Sequence, residues 1–436
     1  MNPRERVLMA LEHKEPDRIP IDLGAMRSTG ITAIAYNNLK KYLGIKGGET
    51  RVYDIVQQLA EPEQNILNLF GVDVIDLNRT LPPAYPYDEI KWTPWTLPDN
   101  SNAMIPTAFC ASVGTLAISA CPESKGKIKL VENGKGGWML KENGLIRSIM
   151  PKTSLYFDDA YHPLEKAENK KDIDEFFEGS YNPKINWPPL LNKEDSEAIK
   201  KRAKYLYENT DYAIMGGFGG SLFEAGQYLR GYANFLIDLV KRKNFAHHLE
   251  EKLLEYHKKN LKFWLEGAKD YVQIVVFGGD DLGTQTGPQI SPKVYREMIQ
   301  PYQKELYQYV KKNSNLFVFL HSCGSIYHLL PDIIDAGVDI INPVQISAKY
   351  MDPIKLKREF GDEITFWGGG VDTQRVLGTC TPDKVSENVL ANIKAFASGG
   401  GFVFAVVHNI QPNVPPENII AVFETVKKHG KYPINI

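Results

Sequence analysis

Apolar residues fall along this chain in two alternating patterns. Short, nearly continuous β-branched runs are separated by longer stretches with a 3.6-residue period. Eight runs read as strands: Arg18–Leu23, Val72–Leu77, Tyr212–Gly216, Tyr271–Phe277, Leu316–His321, Val338–Asn342, Ile364–Trp367 and Phe402–Val407. Most lack polar alternation, as expected of parallel strands buried on both faces. The periodic stretches read as helices: Thr32–Leu43, Pro62–Leu69, Phe223–Lys241, Asn244–Ala268, Pro292–Lys312, Ile326–Asp335, Met351–Phe360, Thr381–Ala397 and Pro416–Lys428. Ser291 ahead of Pro292, and Thr381 ahead of Pro382, are helix-start signals, while Gly337, Gly361 and Gly430 mark helix ends. Strand, loop and helix in repeated order predict a parallel α/β fold. Eight strands suit a closed (β/α)8 TIM barrel, whose active site lies at the C-terminal ends of its strands.

Residues 78–209 break the rhythm. This stretch is rich in Pro, Asn and Lys and holds an expected antiparallel hairpin, Lys127–Val131 and Trp138–Lys141, with Gly144–Met150 as a third strand. The expectation is one barrel domain over residues 1–436, with residues 78–209 as an inserted α+β segment. Following the second strand, the insertion belongs over the barrel mouth as a lid; a dimerisation arm, and with it a homodimer, is the alternative.

Composition narrows the function classes. The 436 residues are 43% hydrophobic and 24% charged, which excludes disordered and fibrous classes. A net charge of −2 gives no basic surface for nucleic acid. No apolar run reaches the roughly 18 residues that a membrane helix needs. The first twenty residues are charged and amphipathic, without the apolar core of a secretory signal. Cys110, Cys121, Cys323 and Cys380 are too few and too scattered for a disulfide framework, so a reducing cytoplasm is the expected location.

The strongest chemical signal is Phe319–Gly324, where an apolar strand ends and His321 and Cys323 follow on a glycine-terminated turn. Two residues apart on an extended chain, imidazole and thiol point to one side and can share a tetrahedral Zn²⁺. A hydrogen-bonded histidine beside a partly buried cysteine is the plainer alternative. His408 likewise ends an apolar run, and barrel closure would bring it to the same rim; alone, it reads more simply as a histidine satisfied by backbone. In Phe277–Thr286, Asp280 and Asp281 follow a strand end. Adjacent aspartates on an extended chain diverge, so one of them is expected to enter a pocket as acid, base or metal ligand; turn formation is the alternative. Glu224 lies just inside a helix after the glycine cluster Gly216–Gly220, which has no P-loop or dinucleotide spacing. His247 and His248 lie in a charged helix and read as solvated surface. Tyr85, Tyr87, Trp92, Trp95, Tyr156 and Phe157 in the insertion read first as packing, and second as the lining of an aromatic pocket.

Taken together, Arg4–Pro20, Phe319–Gly324, Trp367–Thr373 and His408–Asn418 resemble the uroporphyrinogen decarboxylase superfamily, a (β/α)8 barrel family. The resemblance runs over nearly the whole chain and is weakest across residues 78–209. True decarboxylases of the superfamily use no metal and bind a polycarboxylate through paired N-terminal arginines; the matching region here, Pro20–Gly30, offers only Arg27. The cobalamin-dependent methyltransferase branch carries His-x-Cys-Gly at the end of the fifth strand, where it binds zinc. Its third ligand is usually a cysteine in the last strand's loop, and this chain has His408 there. The resemblance therefore implies a zinc site of His321, Cys323 and His408, with Asp281 and Glu224 as candidate catalytic acids and Arg27, Gln285 and Asp372 as candidate substrate contacts. A His-Cys-His site leaves zinc more Lewis acidic than a thiolate-rich one. That suits an ether or alcohol oxygen better than a thiol. The implied reaction moves a methyl group from a methoxylated small molecule, such as an aryl methyl ether, to the Co(I) corrinoid of a separate protein, as in anaerobic O-demethylation. This chain has no corrinoid-carrier Asp-x-His-x-x-Gly sequence. Metal-free decarboxylation and methylcobamide:thiol (coenzyme M-type) transfer are the alternatives.

Overall fold

The computed structural model describes residues 1–87, 89–111, 118–121, 123–180 and 190–435. Seven of the expected strands form one parallel sheet: β1 (Val74–Asp76), β2 (Ala213–Gly217), β3 (Ile274–Phe277), β4 (Phe317–His321), β5 (Ile340–Asn342), β6 (Thr365–Trp367) and β7 (Phe402–Val403), paired in that order. Their side chains are buried almost throughout, which explains the missing polar alternation. The eighth position is taken by residues 18–23, which are not a regular strand. Ile21 makes a single parallel bridge to Phe404. Phe404 N–H donates to Pro20 O at 2.8 Å, Asp22 N–H to Phe404 O at 2.9 Å and Asp73 N–H to Ile21 O at 2.8 Å. Pro20 has no N–H to extend the ladder, and the Ile21 N–H goes to the Asp73 side chain instead of to backbone, at 2.8 Å. The barrel is thus closed, but by few backbone bonds at this seam.

Side chains reinforce the seam. The first helix, α1 (Pro3–Leu11), starts with a capping box between Asn2 and Glu5. From it, Arg6 reaches the fully buried Asp73 at 2.6 Å, and Arg18 reaches the same carboxylate at 2.7 and 2.9 Å. Asp17, half exposed, takes the other edge of Arg6 at 2.7 and 2.8 Å.

Two expected long helices are each split. Phe223–Lys241 becomes α3 (Phe223–Arg230) and α4 (Tyr232–Lys241), broken at Gly231, which has φ +80°. Pro292–Lys312 divides at Ile299, because Pro301 cannot donate to the preceding turn. In the range expected as insertion, α2 (Lys193–Asn209) packs along the long helix α5 (Lys243–Ala268). It is therefore a barrel helix, and the segment over the mouth ends before it.

Elsewhere in that range Trp92–Thr96 and Asn102–Pro106 form a separate two-stranded sheet, Lys170–Phe177 is a helix, and the other strands join a larger antiparallel sheet. The expected hairpin appears as Ile128–Glu132 and Trp138–Glu142, with Leu145–Met150 as its third strand. The sheet runs on through Phe109–Ala111 and Ile118–Ala120 to Val52–Asp54, Leu59–Ala60 and Ile31–Thr32. Those last three precede β1, and the apolar pattern does not predict them as strands. The parts of the expected insertion at 88, 112–117, 122 and 181–189 lie outside the described residues. One expectation is corrected here. Cys110 and Cys121, on adjoining strands, are joined by a disulfide with Cα atoms 5.9 Å apart. Strand pairing brings together cysteines that look unrelated in sequence. No helix among the described residues is long and apolar enough to cross a membrane.

Candidate metal centre and substrate cavity

β4 delivers His321 buried at the barrel rim. Its neighbour Asn342 ends β5, and His321 Nδ1 lies 2.6 Å from Asn342 Oδ1. The imidazole Nε2 faces Cys323 Sγ at 3.4 Å. Gly324, at φ +86°, turns the chain sharply after Cys323, and an added Cβ would come within 2.4 Å of Gly283 backbone. Only glycine allows this approach, so the loops after β3 and β4 lock together, with Gly283 N–H donating to Cys323 O at 3.1 Å.

His408 arrives from the loop after β7 with φ +62°, a backbone conformation that costs a bulky residue about 1–2 kcal/mol. Such strain points to a functional constraint. The His408 ring lies 5.5 Å from the His321 ring, centroid to centroid. One ligand atom each from His321, Cys323 and His408 lies within 4.8 Å of the others. Tetrahedral zinc with bonds of about 2.0–2.1 Å to nitrogen and about 2.3 Å to sulfur needs an N···S edge of about 3.5 Å. The observed 3.4 Å edge matches, and the chemistry of the three donors, two imidazoles and a thiol, is of the kind that holds zinc.

The two aspartates of the β3 loop divide the work. Asp280 is buried and accepts from Ser221 Oγ at 2.8 Å, the Glu224 N–H at 3.0 Å and Gln303 Nε2 at 2.7 Å, so it fixes the start of α3. Asp281 turns to the metal group. It accepts the Cys323 N–H at 2.7 Å and lies 3.6 Å from His321 Nε2. Glu224 Oε1 accepts the Asp281 N–H at 3.2 Å. Burial, then the charges of Asp281 and Asp280, push the Glu224 carboxyl well above its usual range. Burial, then Asp281 and Glu224, raise the Cys323 thiol, an effect that a metal cation would reverse. Burial, then His321 and Arg27, bring His408 down to about 3, leaving it a neutral donor.

A cavity of about 490 Å³ lies at the ends of β1, β2 and β3, roofed by Ile90, Cys110, Ile118, Cys121 and Lys125; His321, Cys323, His408, Asp281 and Glu224 are not among its lining residues, and Arg27 is the lining residue whose charge reaches His408 and Glu224. Arg27 lines it, with Nε 3.0 Å from Asp54 Oδ2. Gln285 is exposed, holds Lys349 N–H through its backbone carbonyl, and neither lines the cavity nor joins the ligand group. Asp372 spends Oδ1 on the N–H groups of Gln374 and Arg375, both at 2.9 Å, and also lies outside the cavity lining. None of the six insertion aromatics lines the cavity either; Trp95 packs edge-on against Trp138, as the packing expectation has it.

Two lining residues escape the sequence reading. Asp76 ends β1, and desolvation raises its carboxyl to about 7. The signal is there: an apolar strand ending in a polar residue, the same pattern that marks His321. Tyr53 lies against the cavity with a buried hydroxyl that has no hydrogen-bond partner among the described residues. It sits on a short strand that the apolar pattern does not show.

Residues 179–429 match the family described as uroporphyrinogen decarboxylase (URO-D). The match covers more than half of the chain, and the chain belongs to this family. Similar curated proteins include the uroporphyrinogen decarboxylases of Chlorobium phaeobacteroides and Chlorobaculum parvum. The first is 26% identical over 243 residues, covering 54% of this chain and 64% of that protein. The second is 24% identical over 274 residues, covering 61% and 71%. Among solved structures, a methyltransferase from Methanosarcina mazei superposes with a TM-score of 0.56 at 15% identity, over 98% of this chain and 99% of that one. This likeness is one of fold.

Proposed function

We propose that this chain is a zinc-dependent methyltransferase that moves a methyl group from a methoxylated small molecule to the Co(I) corrinoid of a separate protein. The observation that carries the reading is the convergence of His321, Cys323 and His408, whose donor atoms lie within 4.8 Å of one another, with a 3.4 Å edge between His321 Nε2 and Cys323 Sγ. When bound, zinc supplies a Lewis acid toward the ether oxygen, and the corrinoid supplies the nucleophile. The chain's own residues do the rest. The cavity holds the donor and excludes water, and Arg27 offers a charged contact at its wall. Glu224, whose burial disfavours its charged form, is the candidate proton donor to the departing oxygen. Asp281 anchors the Cys323 backbone so that the thiolate keeps its place. With two imidazoles and one thiolate, the donor set favours oxygen leaving groups over thiols.

The test is stoichiometric zinc in the purified protein, lost in Cys323→Ala, together with methylation of a Co(I) corrinoid by a panel of methoxyaromatics, methanol and methylamines, followed by absorbance. Metal-free protein that is inactive across the panel overturns the reading. The second reading, metal-free decarboxylation, draws on the raised Asp76 carboxyl facing a cavity that also holds Arg27, Arg79 and Arg202. Release of CO₂ from a porphyrinogen by zinc-free protein would favour it.

A further inference from the structure

We propose that Asn342 is a positioning residue: its side-chain amide fixes the His321 tautomer that presents Nε2 to the metal, and it does so as a neutral acceptor. The inference rests on the zinc reading of the His321–Cys323–His408 group. It is carried by a buried hydrogen-bond run across the barrel interior. His321 Nδ1 lies 2.6 Å from Asn342 Oδ1, Asn342 Nδ2 is 2.9 Å from the Trp367 carbonyl, and Trp367 Nε1 is 2.8 Å from Asp22 Oδ2. Asp22 in turn accepts the Ala25 N–H at 3.0 Å. Asn342 and Trp367 are 0% exposed and Asp22 1%, so water cannot substitute for a missing partner.

The roles along the run are forced. A carbonyl only accepts, so Asn342 must turn its NH₂ to Trp367 and its oxygen to His321. That oxygen only accepts, so His321 Nδ1 must carry a proton, and in the neutral imidazole that binds a metal Nε2 is then the bare nitrogen. Trp367 can only donate to Asp22, which holds the β6 end of the run in place. Four positions of the barrel, the neighbours β4, β5 and β6 and, across the interior from β6, residues 18–23, thus set one nitrogen lone pair before any metal arrives.

The choice of an amide has a chemical consequence. Metal-bound histidines commonly donate their second N–H to a carboxylate, a carbonyl or water, and the stronger acceptors raise the ligand's basicity. A neutral amide makes the imidazole a weaker electron donor than a carboxylate does. The metal keeps more positive charge, as activation of an ether oxygen requires.

The first measurement uses the wild-type protein with ¹⁵N-labelled histidine. Two-bond ¹⁵N–¹H correlation spectra report which His321 nitrogen is protonated, in metal-free protein and after zinc is added. Protonated Nδ1 in both states is expected, and the Nε2–H tautomer in the metal-free protein overturns the inference. Protonated Nδ1 with no zinc uptake leaves the tautomer assignment standing and sinks the metal reading, so the two failures are distinguishable. The second measurement is zinc affinity by chelator competition, alongside the Cys323-to-Co(II) charge-transfer band of cobalt-substituted protein. Asn342→Ala should bind zinc about 10–100-fold more weakly and keep that band. Asn342→Asp should recover affinity while its turnover with methoxylated donors falls below wild type. Wild-type affinity in a folded Asn342→Ala overturns the proposal, as does an Asn342→Asp that rescues turnover in full.

Discussion

The seam that closes the barrel should fail first when the buried Asp73 carboxylate is neutralised. In Asp73→Asn the change is isosteric, but it removes the counter-charge of two guanidiniums. Arg6 is 7% exposed and Arg18 23%, and Asp73 itself is 0% exposed. Three arginine N–H contacts and the Ile21 N–H converge on this group, at 2.6 to 2.9 Å. Breaking a buried pair by removing one partner costs about 3–5 kcal/mol, because the remaining charge is stranded. An unfolding entropy of about 2.1 cal/mol/K per residue, taken over this chain as one cooperative unit, makes each kcal/mol worth about 1 °C. Asp73→Asn should therefore lower the melting temperature by about 3–5 °C. The more sensitive assay is urea unfolding followed by tryptophan fluorescence, reading the midpoint at unchanged slope. Asp17→Asn is the internal control. Its carboxylate grips Arg6 with two bonds as short as those of Asp73, but it is 46% exposed, so the loss should stay below about 1 kcal/mol. If the two variants lose the same stability, or Asp73→Asn loses less than about 1 kcal/mol, burial is not what gives this cluster its strength.

Three further outcomes are expected. His408→Ala should weaken zinc by about 10-fold or more in chelator competition, whereas His408→Cys should retain the metal and lose ether cleavage; full zinc with lost turnover in His408→Ala would make the histidine a substrate-orienting group instead. Glu250, fully buried on α5 with neither oxygen partnered among the described residues, has its carboxyl pushed well above 4.5 by burial and then by Asp280. The folded state thus holds a proton that the unfolded chain releases. Stability falls as pH rises from the unfolded to the folded pKa and then stays low, so Glu250→Gln should be the more stable protein at alkaline pH, by about 1.4 kcal/mol for each tenfold by which folding weakens the acid; an unchanged pH–stability profile would count against a neutral Glu250. Ile118→Trp, filling the cavity roof, should raise KM for bulky methoxylated donors by about 10-fold or more at unchanged zinc content, and equal kinetics across the donor panel would remove the roof from substrate selection.

What the sequence makes legible follows from burial. β1 to β7 are enclosed on both faces, so each writes a continuous apolar run, and a polar residue ending such a run marks the rim. That single rule finds His321 and His408, and applied once more it finds Asp76. The strands at Ile31–Thr32 and Leu59–Ala60 are two residues long and pair with partners up to dozens of residues away, too short to show any period. The Cys110–Cys121 pairing and the unpartnered Tyr53 hydroxyl depend on that same sheet and are hidden with it. Gly231 and Pro301 mark the split helices, but the apolar period runs through both and masks the breaks. Gln285 and Asp372 come from glycine-rich rim motifs, and such loops carry as many residues facing out as facing in.

The sheet over the mouth takes strands from both sides of β1: Val52–Asp54 from before it pairs with Ile118–Ala120 from after it. The roof is therefore not a portable cassette. Transplanting residues 78–190 alone into a relative would leave an edge with no partner strand, and the donor's N-terminal strands would stay behind with their own edge bare. A chimera that exchanges substrate preference needs its first crossover before Ile31, so that Tyr53, Arg27's partner Asp54 and the Ile118 strand travel as one inheritance unit. Drift in the roof is correspondingly coupled to drift in a stretch of chain that, in linear sequence, belongs to the opening turn of the barrel.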